Sequence, residues 1–224
     1  MNNKKYKTAL HFHTEGGAVA ETLEDCVAAG YTSVAVTNSL YHSRIGAKEG
    51  DFCAGYDTYE AYVTALYDEI DRVRLLADGK INVLSGLKLK NKWDNAEFLI
   101  YGLSREDALA FDLCSHDIED AHDHLKKCGG VVINAHPMRM NYALIRPDFV
   151  DGYEVYNPCD PDYVNTMTRQ WVLNIGAGEM ILTAGTDHCG DGSHPQAGIV
   201  TSKPIETDAE LVRVLKDHDF DLFY

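Results

Sequence analysis

The sequence predicts an α/β fold: a barrel or near-barrel of mostly parallel strands, with an open doubly wound sheet as the second choice. Short apolar runs alternate with helical stretches from one end of the chain to the other, a pattern that implies parallel pairing through right-handed crossovers. About seven such units occur, which favours a barrel over an open sheet. No repeat, low-complexity tract or linker divides them, and 224 residues suit one domain, 1–224, with a sizeable core.

The elements follow in order. Tyr6–His13 reads as the first strand and Ala20–Gly30 as a helix closed by its glycine. Ser33–Thr37 is a β-branched strand. A loop rich in Gly, Ser and charge runs from Ser39 to Gly55. Tyr59, Val63, Leu66, Ile70, Val73 and Leu76 recur at helical spacing, so Tyr56–Ala77 is a long helix. Strands follow at Ile81–Leu89 and Phe98–Tyr101, a helix at Asp117–Cys128, and strands at Val131–Ile133 and Tyr153–Tyr156. Tyr163–Ile175 is helical, Met180–Thr183 is a strand, and the tail holds a short strand near Gly198–Val200 and a helix over Asp208–Asp217.

Charge and composition exclude several functions. A formal net charge of -15 argues against nucleic acid as a partner, because phosphate backbones need clustered Lys and Arg. An anionic substrate must therefore meet a local cationic patch. No apolar run is long enough to cross a membrane, and no apolar signal core follows the basic start. Six scattered cysteines without a Cys-x-x-Cys pair indicate reduced thiols and a cytoplasmic setting. Nothing in the sequence fixes the oligomeric state.

Polar residues collect at the strand C-terminal ends, where parallel barrels build their active sites. These ends carry His11 and His13, then Asn38 and Ser39 with His42 nearby, then Lys88, His136, Asn157, Asp187 and His188. Side chains alternate along a strand, so His11 and His13 share one face and can share one metal ion. Pro137 cannot donate to a ladder, so it stops its strand and leaves His136 at the rim. Singly, each is more readily a satisfied core or rim residue. Four strand ends carrying His or Asp together make that explanation the weaker one.

These runs resemble a known family. Leu10–Thr14, Val36–Asn38, Gly86–Lys88, Ala135–Pro137, Gly152–Asn157 and Gly185–Asp187 fall in the order of the polymerase-and-histidinol-phosphatase (PHP) superfamily, and the resemblance spans nearly the whole chain. It implies a distorted seven-stranded (β/α)7 TIM-like barrel and, in active relatives, up to three metal ions that hydrolyse phosphate esters. His11, His13, His136 and Asp187 match the family's ligand positions. Other positions depart from it. Asn38-Ser39 stand for Asp-His, Lys88 for the bridging glutamate, and Phe98, beside Glu97, for a histidine. His188-Cys189 displace the late histidine by one place, and Glu15 is the nearest match to a further acidic ligand.

The surviving set implies a divalent metal (Zn, Mn or Fe), with one ion rather than three, or none. His11, His13 and Asp187 meet the three-ligand minimum of a catalytic site. A further ion would depend on His136, Glu97, Glu15, His42, His188 or Cys189. Lys88 works against it: an ammonium ~4 Å from a divalent ion at an effective dielectric of ~20 is repelled by roughly 8 kcal/mol. Lys88 is then neutral, swung away, or itself the positive charge in the missing ion's place. A solvated strand-end lysine, in an exposed row with Lys90 and Lys92, is the bland alternative. Arg139 presents a fork suited to phosphate, or else a surface ion pair. Arg44 and Lys48, on the long loop with His42, suit a lid. His116, His122, His124 and His218 read as surface residues.

Two functions follow as expectations. One is a PHP-type phosphoesterase acting on a small phosphate ester, with Lys88 and Arg139 stabilising phosphoryl charge. The other is an inactive PHP-like domain that binds a small anion through the same two residues.

Overall fold

The computed structural model describes residues 5–14, 19–41, 56–90, 95–139, 142–187 and 197–224. Its first half contains β1 (Tyr6–Phe12), α1 (Val19–Ala28), β2 (Tyr31–Val36), β3 (Ser39–Tyr41), α2 (Tyr59–Ala77), β4 (Asn82–Lys90), β5 (Glu97–Tyr101) and α3 (Arg105–Ala110). The second half contains α4 (Ile118–Lys127), β6 (Val131–Asn134), β7 (Gly152–Tyr156), α5 (Asp162–Asn174), β8 (Ile181–Ala184), β9 (Gly198–Thr201), α6 (Asp208–Lys216) and β10 (Asp221–Phe223). Among the described residues one sheet runs β10-β9-β1-β2-β4-β5-β6-β7-β8, with β3 beside β4. Its two flanks approach where β8 lies against β9 and β10, so the sheet is nearly closed. This is the TIM-like α/β barrel, with more strands than seven.

The extra strands are short. β3 falls in the stretch read as loop, and β10 lies in the tail. The pairing also differs from the all-parallel expectation. β1–β2, β2–β4, β6–β7 and β7–β8 are parallel, but β5 is antiparallel to both β4 and β6. Residues 91–96, between β4 and β5, are too few for a parallel crossover, which needs a dozen or more. The reversal brings the first residue of β5, Glu97, opposite the last of β4, Lys90. An acid that a parallel strand would leave at the far end of the barrel is thereby delivered to the rim.

The core has two parts. Leu10, Ala35, Leu84, Leu99, Tyr101, Ile133 and Ile199 fill the barrel interior, and Leu211 and Leu215 of α6 belong to the same cluster. Ala9, Phe12, Val34 and Val36 belong to the second cluster, which includes the buried faces of α1, α2 and α4. Ala9 and Phe12 have opposite parity on β1, yet share this cluster. The register explains it: Ala9 pairs with Val34 and Phe12 with Val36, so β1 holds one residue more than β2 over this stretch. Such an irregularity re-aims side chains near a strand end. β7 shows another against β8, between Glu154 and Tyr156. Among the described residues no helix is long and apolar enough to cross a membrane.

His122 departs from the surface reading. It is 3% exposed on the buried stripe Ile118, Ala121, His122, Leu125 of α4, and its Nε2 lies 3.3 Å from Asp151 Oδ1. The acids beside it in sequence lie on the other side of the helix.

Candidate metal centre

β1, β6, β7 and β8 deliver their C-terminal ends to one side of the barrel, where four of the predicted residues meet. His11 Nε2 lies 3.1 Å from His13 Nε2 and 3.2 Å from Asp187 Oδ1, and His13 Nε2 lies 3.4 Å from that oxygen. His136 stacks on His11 with ring centroids 5.6 Å apart. Donor atoms of His11, His136 and Asp187 all lie within 4.8 Å of one another. All four residues are buried.

The arrangement depends on Glu154, which lies within the Gly152–Asn157 run but was not among the expected site residues. Its Oε1 is 2.9 Å from His11 Nδ1. Its Oε2 accepts from the His136 backbone N–H at 2.9 Å and from Asn157 Nδ2 at 3.0 Å. The available signal was a carboxylate in the middle of the buried strand Tyr153–Tyr156. A carboxylate on Nδ1 fixes the His11 tautomer and turns the Nε2 lone pair toward a metal. Asp187 is held in the same way: Oδ2 accepts from Arg139 Nη2 at 2.8 Å and Asn157 Nδ2 at 3.2 Å, which leaves Oδ1 to the histidines.

The three atoms on His11, His13 and Asp187 fit a divalent ion. Metal–ligand bonds of about 2.0–2.2 Å in a tetrahedral site imply ligand–ligand edges of about 3.3–3.6 Å, close to the edges found. Among the described residues, neither buried ring nitrogen of His136 makes a hydrogen bond. Backbone strain also concentrates here. His136 has φ 29° and Asp187 has φ 47°, left-handed conformations that cost on the order of 1–3 kcal/mol each and gather at functional sites.

Lys88 is not a solvated lysine. It is 8% exposed, and its Nζ lies 3.2 Å from Glu97 Oε2. Lys90 Nζ is 3.6 Å from Glu97 Oε1, which also accepts from Tyr142 Oη at 3.0 Å. His136 Nε2 is 3.4 Å from Glu97 Oε2. Phe98, at the position of the family's histidine, is buried with the apolar core instead. Arg139 spends Nε on Asp160 at 2.7 Å and Nη2 on Asp187. Asn38 exchanges hydrogen bonds with Thr14, tying the segment after β1 to the end of β2. Glu15, His42, Arg44, Lys48, Lys92, His188 and Cys189 lie outside the described residues.

Charge at the centre is settled by burial and neighbours. Burial, followed by Lys88, pushes the His13 pKa down to about 3, so its ring is neutral. Burial opposes ionisation of Asp187, but His11, His13, His136 and Lys88 outweigh it and hold the carboxyl well below its usual range. Glu97 is similarly lowered against its burial by His136, Lys88 and Lys90. Burial also works against the Lys88 charge, and Glu97 and Asp187 overcome it to keep the ammonium. A histidine with a lowered pKa binds fewer protons folded than unfolded, as do lowered carboxyls. Both contributions make stability rise with pH. Metal-free protein is therefore expected to lose stability as pH falls from about 6.5 toward 3, the interval between the ordinary and folded values of His13. Thermal unfolding of EDTA-treated protein across that interval checks it; a Tm that holds or rises on acidification contradicts it.

No protein-family model matches the chain, and no curated protein matches it in sequence. Solved structures do. One is a protein provisionally assigned as a metal-dependent phosphoesterase from Bifidobacterium adolescentis, with TM-score 0.56 and 14% identity over 96% of this chain and 97% of that one. Another is a two-domain protein containing a predicted PHP-like metal-dependent phosphoesterase, from Bacteroides vulgatus, with TM-score 0.64 and 13% identity over 98% of this chain. This chain covers 64% of that protein's length. The chain shares the fold of these two proteins. Within that fold the His11–His13–Asp187 triangle lies at the C-terminal ends of β1 and β8.

Proposed function

We propose that the chain is a metal-dependent hydrolase of PHP type that cleaves a small phosphate ester with a reduced metal complement. The observation that carries this reading is the His11–His13–Asp187 triangle, with Glu154 on the far nitrogen of His11. A divalent ion in such a donor set supplies Lewis acidity at neutral pH. Glu154 and Asn157 orient the donors, and Arg139 holds Asp187. Lys88 adds positive charge where a phosphoryl group would gather negative charge. The substrate is a small anion, and a cytosolic setting is in keeping with six scattered cysteines that form no Cys-x-x-Cys pair.

Charge balance favours this reading over an inactive anion-binding domain. Among the described residues, Glu97, Asp160 and Asp187 pair with Lys88, Lys90 and Arg139, so each of these cations already has a carboxylate partner. An incoming anion would have to displace one of these carboxylates, so it gains little there until a metal is added. The test is metal analysis of protein purified without chelator, together with turnover of p-nitrophenyl phosphate with added Mn2+ or Zn2+. Bound metal and metal-dependent turnover are expected. Protein that takes up no metal, turns over nothing, and is stabilised by phosphate alone would overturn the proposal.

A further inference from the structure

We infer that the Lys88 ammonium stands permanently in the place of a second ion, so that the centre takes a single divalent ion at His11, His13 and Asp187. This rests on the metal-hydrolase reading above and deepens it. His136 and Glu97 are donors of the same chemical kind as the triangle and adjoin it, since His136 stacks on His11. A bare His–carboxylate pair next to an occupied triangle would invite a second ion. Lys88 closes that possibility by position. Its Nζ is 3.2 Å from the Glu97 oxygen that also lies 3.4 Å from His136 Nε2.

Glu97 has no oxygen left over. Oε2 faces Lys88 and His136, and Oε1 faces Tyr142 and Lys90. Lys90 in turn lies over the rings of Tyr41 and Tyr142, at 5.7 and 6.0 Å, so it too is held toward Glu97. The fold enforces the arrangement. Lys88 and Lys90 lie on one face of β4, and the antiparallel register sets Glu97 directly opposite Lys90. β3 covers the other edge of β4, with Ser39 opposite Lys88. The lysine is thus held by two strand pairings and by Glu97, which is itself fixed by Lys90, Tyr142 and His136, and its charge cannot be withdrawn without breaking a buried ion pair.

The experiment loads wild type, Lys88→Glu and Lys88→Gln with Mn2+ by equilibrium dialysis. Bound metal is counted by elemental analysis, and the Mn2+ electron paramagnetic resonance spectrum is recorded. Wild type is expected to hold one ion per chain with the spectrum of isolated Mn2+. Lys88→Glu replaces the ammonium with a carboxylate, and is expected to double the metal content and give a spin-coupled spectrum. Lys88→Gln removes the charge alone and is expected to raise the metal content above wild type. It carries the test if the glutamate variant does not fold. Two ions in wild type overturn the inference, as does metal content unchanged in every folded variant. Both results leave the metal-hydrolase reading standing. No ion in wild type overturns that reading, and the inference with it.

Discussion

Glu154→Ala is expected to lower the stability of the metal-free protein by about 3–5 kcal/mol, the usual cost of removing one partner from a buried charged network. The Glu154 side chain is 0% exposed and receives three groups: His11 Nδ1, the His136 N–H and Asn157 Nδ2. Each donor left unpaired costs about 1–3 kcal/mol. They share one acceptor, so the losses are not additive and the lower total is the sounder figure. Loss of a carboxylate behind a metal-binding histidine also weakens metal binding by roughly 10–100-fold. Urea unfolding reads the first effect, and competition with a chromophoric chelator reads the second. Glu154→Gln keeps the shape and one acceptor, so it should fall between the two. A stability loss below about 1 kcal/mol would mean that the network of Glu154 contributes no more than one ordinary hydrogen bond.

Gly185→Ala is expected to damage the centre while leaving the barrel folded. A Cβ on Gly185 would sit 1.9 Å from Glu154 Oε1 and 2.6 Å from the His11 Cβ. Neither neighbour can yield freely: Glu154 is tied to three donors, and the His11 Cβ is fixed to the β1 backbone. Overpacking of this kind costs about 1–3 kcal/mol. The displaced Glu154 and His11 should also cost about 10–100-fold in metal affinity. Gly178→Ala is the control, because its added Cβ meets nothing within 4 Å, and surface changes usually stay within about 0.5 kcal/mol. Circular dichroism should be unchanged in both variants. Equal metal affinity in the two would show that β8 does not help to shape the centre.

Much of the centre was legible because it depends on period and punctuation. His11 and His13 share a face by strand alternation, His136 precedes the proline that ends its strand, and Asp187 follows an apolar run. Glu154 was harder. Its chief partner lies 143 positions away in the chain, and only a charge inside a buried strand hinted at a role. The direction of β5 was legible in principle, since the connection before it is too short for a crossover, but the alternation of elements suggested parallel pairing throughout.

The sequence by itself determined the α/β barrel, the order of its strands along the chain, and the His and Asp residues that the strand ends bring to the rim. Those features follow from local alternation, turn residues and strand ends. Tertiary structure alone decided that β1 and β7 carry register irregularities, that Glu97 reaches the rim, and that Lys88 is buried against it rather than solvated. The physical reason is that register and strand direction are set by pairing between distant segments. A shift of one residue moves a side chain to the other face, and nothing local in the sequence records that shift.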